Sequence, residues 1–455
     1  IISHLTEPMR HPYVPSIKLA LPILVGQIGS IATGFVDNIM VGHYSTNALA
    51  SASFCNNLFN IPIMACMGFT FGVTPLVGAF FTAGEKGRIG TLLRNAVWLN
   101  VVFCLAITAV MIGVYFNIEN LGQPEELIPI IKPYFLICAS SILPVVLFNV
   151  FAQWSYGINN TRMPMWIILG ANALNVLGNY ALIFGHFGLP EMGLTGAGIS
   201  TLAARLVTAV AIIGLFFMRR NYSEYRAHYR AARLTRRVMS KLFHTSIPVS
   251  LQMSFETAAF SGAAVICGFL GAVPLAAFQI VVITGTLGFC IYYSVGAAVA
   301  VRVANARGAG SVADMRRNAW AGYHIILAIM LTVSLLFVFG GPTLMSAFTE
   351  DPAVLSLAVT LIFPMVLYQV ADATQINFAN ALRGTANVMP MLWISFVSYL
   401  VFGLPSTYLM GITLGMGVYG IVLSFSVSLV LAAIGFLTYF LRTTGSSFQQ
   451  KKLSL

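Results

Sequence analysis

Charge is what this 455-residue chain lacks. Only 8% of its residues are Asp, Glu, Lys or Arg and 58% are hydrophobic, whereas a soluble globular protein carries roughly 25% charged residues. That deficit excludes an ordinary soluble domain and places the chain in lipid. Catalytic signatures are missing as well. There is no HExxH, GxSxG, Walker loop or histidine cluster, which argues against a membrane enzyme and against an ATP-driven pump. The six cysteines (Cys55, Cys66, Cys104, Cys138, Cys267, Cys290) form no CxxC pair and have no metal-ligand spacing to histidine. They read as small apolar residues of helices. No cleavable signal peptide is expected, because His4, Glu7, Arg10 and His11 give a polar start and the first apolar run is too long. The initial Ile predicts that the natural start lies upstream.

What is present is a series of apolar runs of membrane-spanning length. Twelve are expected, at 17–42, 48–82, 92–116, 127–156, 164–185, 194–218, 243–269, 274–304, 318–340, 353–382, 389–411 and 415–441. Helices are expected throughout, since a span must satisfy its backbone polar groups internally. If both termini face one side, that side holds all 24 lysines and arginines except Lys132 and Arg205. The opposite loops carry Glu119, Glu125, Glu126, Glu191, Glu350 and Asp351. The positive-inside rule then makes both termini cytoplasmic, and the expected location of this multi-pass chain is the cytoplasmic (inner) membrane. The same asymmetry explains the net charge of +11 without a nucleic-acid partner. The basic stretch 219–241 is expected to be a solvated linker.

The chain is also duplicated. MPMWI at 163–167 returns as MPMLWI at 389–394, LLRNAVW at 92–98 as MRRNAW at 315–320, and GLTGAGI at 193–199 as GMGVYGI at 415–421. Pro22 matches Pro248, and Gly157 matches Gly384. The expected architecture is an all-α membrane protein of two six-helix bundles. An amino-terminal lobe (1–218) and a carboxy-terminal lobe (242–455) are joined by the 219–241 linker. An even number of spans per lobe makes the repeats parallel, an arrangement of transporters whose lobes rock to give alternating access.

Of 13 acidic residues, three fall inside these runs: Asp37, in GFVDNIMVGH, Glu256 and Asp372. Each costs about 2.5–3.5 kcal/mol at a helix centre, which marks them as cation or proton sites. At 1.5 Å per residue, Glu256 lies about 22 Å from Lys241 and Asp372 about 16 Å from Arg383, so these two are expected to meet near mid-membrane. Asp37, about 28 Å from Lys18, is expected further out. Helical spacing puts Tyr368, Asp372 and Gln375 on one face, Gln252 beside Glu256, and Asn172, Asn175 and Asn179 on another face. Such oxygen-rich sets suit a hard monovalent cation, and desolvated carboxylates also suit protons. For the asparagines, interhelical hydrogen bonding is an alternative. Arg205 either snorkels or pairs with an acid.

The chain resembles the multidrug and toxic compound extrusion (MATE) transporters of the NorM-like bacterial branch, from about Lys18 to Leu441. The most specific segments are GFVDNIMVGH, NALNVLGNYALIFGHFGLPEMGLTGAGIST at 172–201, FE at 255–256 and YQVADATQ at 368–375, with LRG following at 382–384. The resemblance implies an outward-facing V of two lobes and export of cationic, often aromatic drugs, driven by inward flow of Na⁺ or H⁺. It assigns Asp37, Asn175, Asn179 and Thr201 to an amino-terminal cation or proton site. Glu256, Tyr368 and Asp372 match a carboxy-terminal cation site, with Gln375 beside them and Na⁺ at Glu256 and Asp372. Pro22 becomes the hinge of a bent first helix. Some branches carry a second acid where Asn179 stands; its absence weakens a purely proton-relay reading of the first lobe, and the presence of both Glu256 and Asp372 favours Na⁺, with protons able to share the same carboxylates. No cofactor beyond the coupling ion is expected, and the default is a monomer taking small organic cations. The competing reading is a lipid-linked oligosaccharide flippase of similar bundle architecture.

Overall fold

The computed structural model describes residues 12–349 and 351–445. His4, Glu7, Arg10, His11 and Glu350 lie outside the described residues. Helices make up nearly all of it, with no strand among the described residues. In order they are α1 (Tyr13–Tyr44), α2 (Thr46–Thr70), α3 (Val73–Thr82), α4 (Lys86–Tyr115), α5 (Ile128–Gly157), α6 (Arg162–Phe184), α7 (Gly193–Met218), α8 (Ser223–Ala231), α9 (Arg236–Gly268), α10 (Ala272–Gly308), α11 (Val312–Ser346), α12 (Pro352–Thr360), α13 (Ile362–Thr385), α14 (Met389–Ser395), α15 (Leu404–Tyr408) and α16 (Gly417–Thr443). Local chemistry sets several ends. Ser45 caps α2 by accepting from the Ala48 N–H, Gly185 closes α6 in the left-handed region, and Asp351 followed by Pro352 starts α12. Wide π turns at Phe396–Gly403 and Leu409–Thr413 flank α15.

By length and apolarity, ten helical stretches among the described residues can cross a membrane, or eleven if α12 and α13, bent by 45°, form one broken span. The remaining expected run, the seventh (243–269), lies on α9, which is long enough at 33 residues. Its polar side chains, among them His244, Gln252 and Glu256, keep it out of the apolar set. Large apolar side chains such as Phe339 (83% exposed), Phe116 (76%) and Trp166 (67%) face outward, as lipid-facing residues do in a bilayer.

Contacts group the chain into two units, Val25–Thr257 and the chain up to Leu24 taken with that from Ala258 onward. The division therefore falls within α1, two residues past Pro22, and within α9. In the first unit, α9 packs closely on α2. Ser250 Oγ donates to the Ala65 carbonyl at 2.7 Å, and a Cβ on Gly68 would stand 2.8 Å from the Ser250 Cα. In the second unit, Arg302 of α10 donates to the Pro12 carbonyl and, at 2.6 Å, to Ser16 Oγ. Ala20 joins a core with Tyr292, Val295, Ile326 and Ile376.

The basic stretch 219–241 is not simply solvated. Residues 223–231 fold as α8 and dock on α4 so closely that a Cβ on Gly90 would lie 2.4 Å from the Tyr225 carbonyl oxygen. Arg94 Nη1 donates to the carbonyls of Tyr229 (3.2 Å) and Arg230 (2.7 Å). Asn95, fully buried, accepts from the Thr235 N–H at 3.0 Å and donates to the Arg233 carbonyl at 3.3 Å. Trp154 supplies a ring wall for Tyr222 and Tyr225. Burial, and secondarily Glu224, pushes the Tyr225 phenol up to about 12, so it stays neutral. The topogenic charges thus ride on a folded connection. Asn95→Ala strands two backbone groups and should lower stability by about 1–3 kcal/mol. The expected readout is a lower melting temperature with faster tryptic cleavage at Arg233; unchanged cleavage and melting would show that the connection is not held this way.

Candidate functional site

Asp37 sits half-buried near the end of α1. Two residues of α6, one turn apart, reach it. Asn179 Nδ2 donates to Asp37 Oδ1 at 2.5 Å. With its nitrogen turned toward the acid, Asn175 donates to Oδ1 at 2.8 Å and Oδ2 at 3.2 Å, while its oxygen accepts from Thr201 Oγ1 at 3.1 Å. That orientation gives every polar atom of the Asn175 side chain a complementary partner, where the reverse sets its oxygen against the carboxylate. Thr201 comes from α7, beside Ser200, whose hydroxyl donates to the Asn175 carbonyl at 2.8 Å. The four residues assigned to the amino-terminal site are therefore hydrogen-bonded together. Asn172, expected on the same face, does not join them: its Nδ2 is buried without a hydrogen-bond partner among the described residues.

Close helix approach makes this possible. A Cβ on Gly178 would lie 2.4 Å from Ser200 Oγ, and one on Gly196 would lie 2.5 Å from the Leu182 carbonyl oxygen. Each helix of the α6–α7 pair thus presents a glycine to the other. Val41, Ala48, Ala52, Ile183, Leu194 and Ala197 form an apolar cluster that joins α1, α2, α6 and α7.

Asp37 opens into a cavity of about 200 Å³ whose polar lining includes Asn38, Asn56, Tyr134, Ser141, Thr201 and Arg205. Arg205 is the residue that sequence reasoning left undecided. It neither runs to the surface nor forms a salt bridge with an acid among the described residues. Its Nη1 donates to Ser141 Oγ at 2.5 Å. Asn38, Asn56, Tyr134 and Ser141 carry no signal of their own in the sequence. Only the intramembrane charge of Arg205 pointed here.

The residues of the proposed carboxy-terminal site fall in both units. On α9, in the first unit, Gln252 Nε2 donates to Glu256 Oε2 at 2.9 Å. In the second unit, Tyr368, Asp372 and Gln375 are buried along α13. The Tyr368 hydroxyl lies against Gly285 of α10, where a Cβ would meet it at 2.4 Å. Asp372 is within electrostatic reach of Tyr368 and Tyr292. Tyr292 donates to Gln369 Oε1 at 3.1 Å, and Gln375 Nε2 donates to the Tyr399 hydroxyl at 2.7 Å in the first π turn. A buried carboxylate among phenols and amides supplies the hard oxygen donors that suit a monovalent cation. No cluster of three or more His, Cys, Asp or Glu suited to a metal occurs among the described residues.

A family model, MatE, matches residues 22–181 and 248–409. The chain is similar to a probable multidrug resistance protein NorM of Bradyrhizobium diazoefficiens, 27% identical over 419 residues covering 91% of this chain and 90% of that one. A second NorM, from Photorhabdus laumondii, is 28% identical over 428 residues, covering 91% and 93%. Among solved structures, an outward-facing multidrug resistance MATE transporter of the MOP superfamily superposes with a TM-score of 0.88 at 17% identity, over 97% of each chain. The eukaryotic MATE transporter AtDTX14 gives 0.85 at 17%, over 96% of each. At those identities the likeness is one of fold.

Proposed function

The chain belongs to the MatE family, whose members are transporters and not enzymes, and on that premise we propose that it is a cation-coupled antiporter exporting small organic cations across the cytoplasmic membrane. The observation that carries the coupling is Asp37, a carboxylate in an apolar helix, held by two amides at the edge of a cavity. A group of this kind gains affinity for a cation when desolvated, and losing or taking one changes its hydrogen bonding. Export is driven only if that affinity differs between the two arrangements of the transporter. Glu256 on α9, and separately Tyr368, Asp372 and Gln375 on α13, are the further coupling residues, and we favour Na⁺ as the ion that these carboxylates take. Pro22 is the hinge: a proline inside a helix removes one backbone hydrogen bond and lets the helix bend. On this reading α9 is the remaining span; an even number of spans puts both termini on one side, the cytoplasmic one by the positive-inside rule, and a monomer suffices. A lipid-linked oligosaccharide flippase would need a broad cationic cavity for pyrophosphate. The cavity found here sets one base, Arg205, beside one acid.

The test is uptake of a fluorescent organic cation into proteoliposomes under Na⁺ and pH gradients imposed separately. Uptake driven by an Na⁺ gradient, and lost in Glu256→Gln and Asp372→Asn, is expected. Uptake driven by pH alone and indifferent to Na⁺ would remove Na⁺ from the scheme. Uptake that answers to neither gradient would sink coupling altogether.

A further inference from the structure

Arg205 has no part in the function proposed so far, although a guanidinium within a membrane span carries a large desolvation cost. It stands on α7 four residues after Thr201, on the same face, and lines the Asp37 cavity. Its hydrogen bond to Ser141 ties it to α5. The other ionisable groups lining the cavity are Tyr134 and Cys138, both on α5 and both neutral near pH 7. Those from α2 (Ala52, Asn56, Phe59, Ile63) carry no charge, and the rest of the lining on α1 and α7 is uncharged. One fixed positive and one negative group therefore share about 200 Å³. With Asp37 ionised, this cavity is electroneutral before any ion enters.

Among the described residues Asp37 takes no ion pair within salt-bridge distance; amide N–H groups hold it. An entering Na⁺ would leave the cavity with a net positive charge beside the guanidinium, in a medium that screens charge weakly.

We propose that Arg205 is a specificity-determining residue, a tethered counter-cation that takes the electrostatic place of Na⁺ in the Asp37 cavity, so that Na⁺ does not bind there. Asp37 is then left to the proton, which needs no shell of oxygen ligands. This second half rests on the cation-coupled reading; the exclusion of Na⁺ does not.

The experiment is saturable ²²Na⁺ binding to the purified full chain by scintillation proximity, in a Glu256→Gln/Asp372→Asn background that leaves Asp37 as the acid to be tested. With Arg205 present, no Asp37-dependent binding is expected. Adding Arg205→Gln should tighten Na⁺ binding by about tenfold or more, as removal of one fixed charge from a poorly screened site requires. Asp37→Asn should abolish that gain, and Arg205→Lys, which keeps the charge, should not show it. Asp37-dependent Na⁺ binding with Arg205 in place overturns the proposal. So does a well-folded Arg205→Gln protein with no gain. If Arg205→Gln does not fold, the arm with Arg205 in place decides. Failure of the coupling reading looks different: neither gradient would drive export by the unaltered protein, whatever the binding arms show.

Discussion

Asp37→Asn will reduce gradient-driven export to the background leak while the protein remains folded. Asparagine has the shape of aspartate and keeps an oxygen to accept from Asn179 Nδ2, the shorter of the bonds now made to the acid. The cavity keeps its volume, and no apolar contact is lost. The variant should therefore stay folded but melt somewhat below the parent, because it creates no cavity or clash yet leaves the Arg205 guanidinium without its counter-charge. What disappears is the group whose affinity for a cation can differ between two states, and without that difference a gradient does no work. Export under an imposed pH gradient, in proteoliposomes of matched protein content, is the measurement. Parental rates in Asp37→Asn would mean that coupling runs elsewhere, and the Asp37 cluster would be a structural hydrogen-bonded junction.

The second large effect is at Gly196. A Cβ there would stand 2.5 Å from the Leu182 carbonyl oxygen and 2.7 Å from its carbon. Both are backbone atoms, so no rotamer change relieves the clash and α7 must move away from α6. Alanine normally gains about 1 kcal/mol over glycine inside a helix. Overpacking costs about 1–3 kcal/mol, and rigid backbone on the other side puts Gly196→Ala at the upper end. The net expectation is a lower melting temperature. Export should fall with it, because Thr201 lies five residues further along α7 and its bond to Asn175 depends on that approach. Gly214→Ala is the control: it lies on the same helix with nothing within 4 Å of its would-be Cβ, so the propensity gain should stand alone. If Gly196→Ala melts at or above the parent, the close crossing does not hold the site together.

Both effects were partly legible in the sequence. That Asn175 and Asn179 share a face follows from helical spacing alone, and their placement beside Asp37 and Thr201 was implied by family resemblance. Nothing along the chain, however, says that Gly196 rather than Gly214 meets a backbone carbonyl. Arg205 could be seen as an anomaly, but its partner could not be named. Ser141, which receives its hydrogen bond, is an ordinary serine in an apolar run on another helix.

By itself the sequence determined the membrane class, the helical content and the MATE-type resemblance. Each rests on composition, on periodicity or on motifs read along the chain, and the lipid solvent leaves few alternatives to helices. Tertiary structure decided the rest. It docked the basic connection on α4 through Arg94 and Asn95, bent the tenth expected run between α12 and α13, and divided α1 and α9 between two contact units. It also placed a positive and a negative side chain, 168 residues apart by number (205 − 37), on the wall of one cavity. The physical reason is common to all of these. Local propensity and hydropathy act over a few turns of chain, whereas a hydrogen bond, a clash or a shared cavity depends on how distant helices approach.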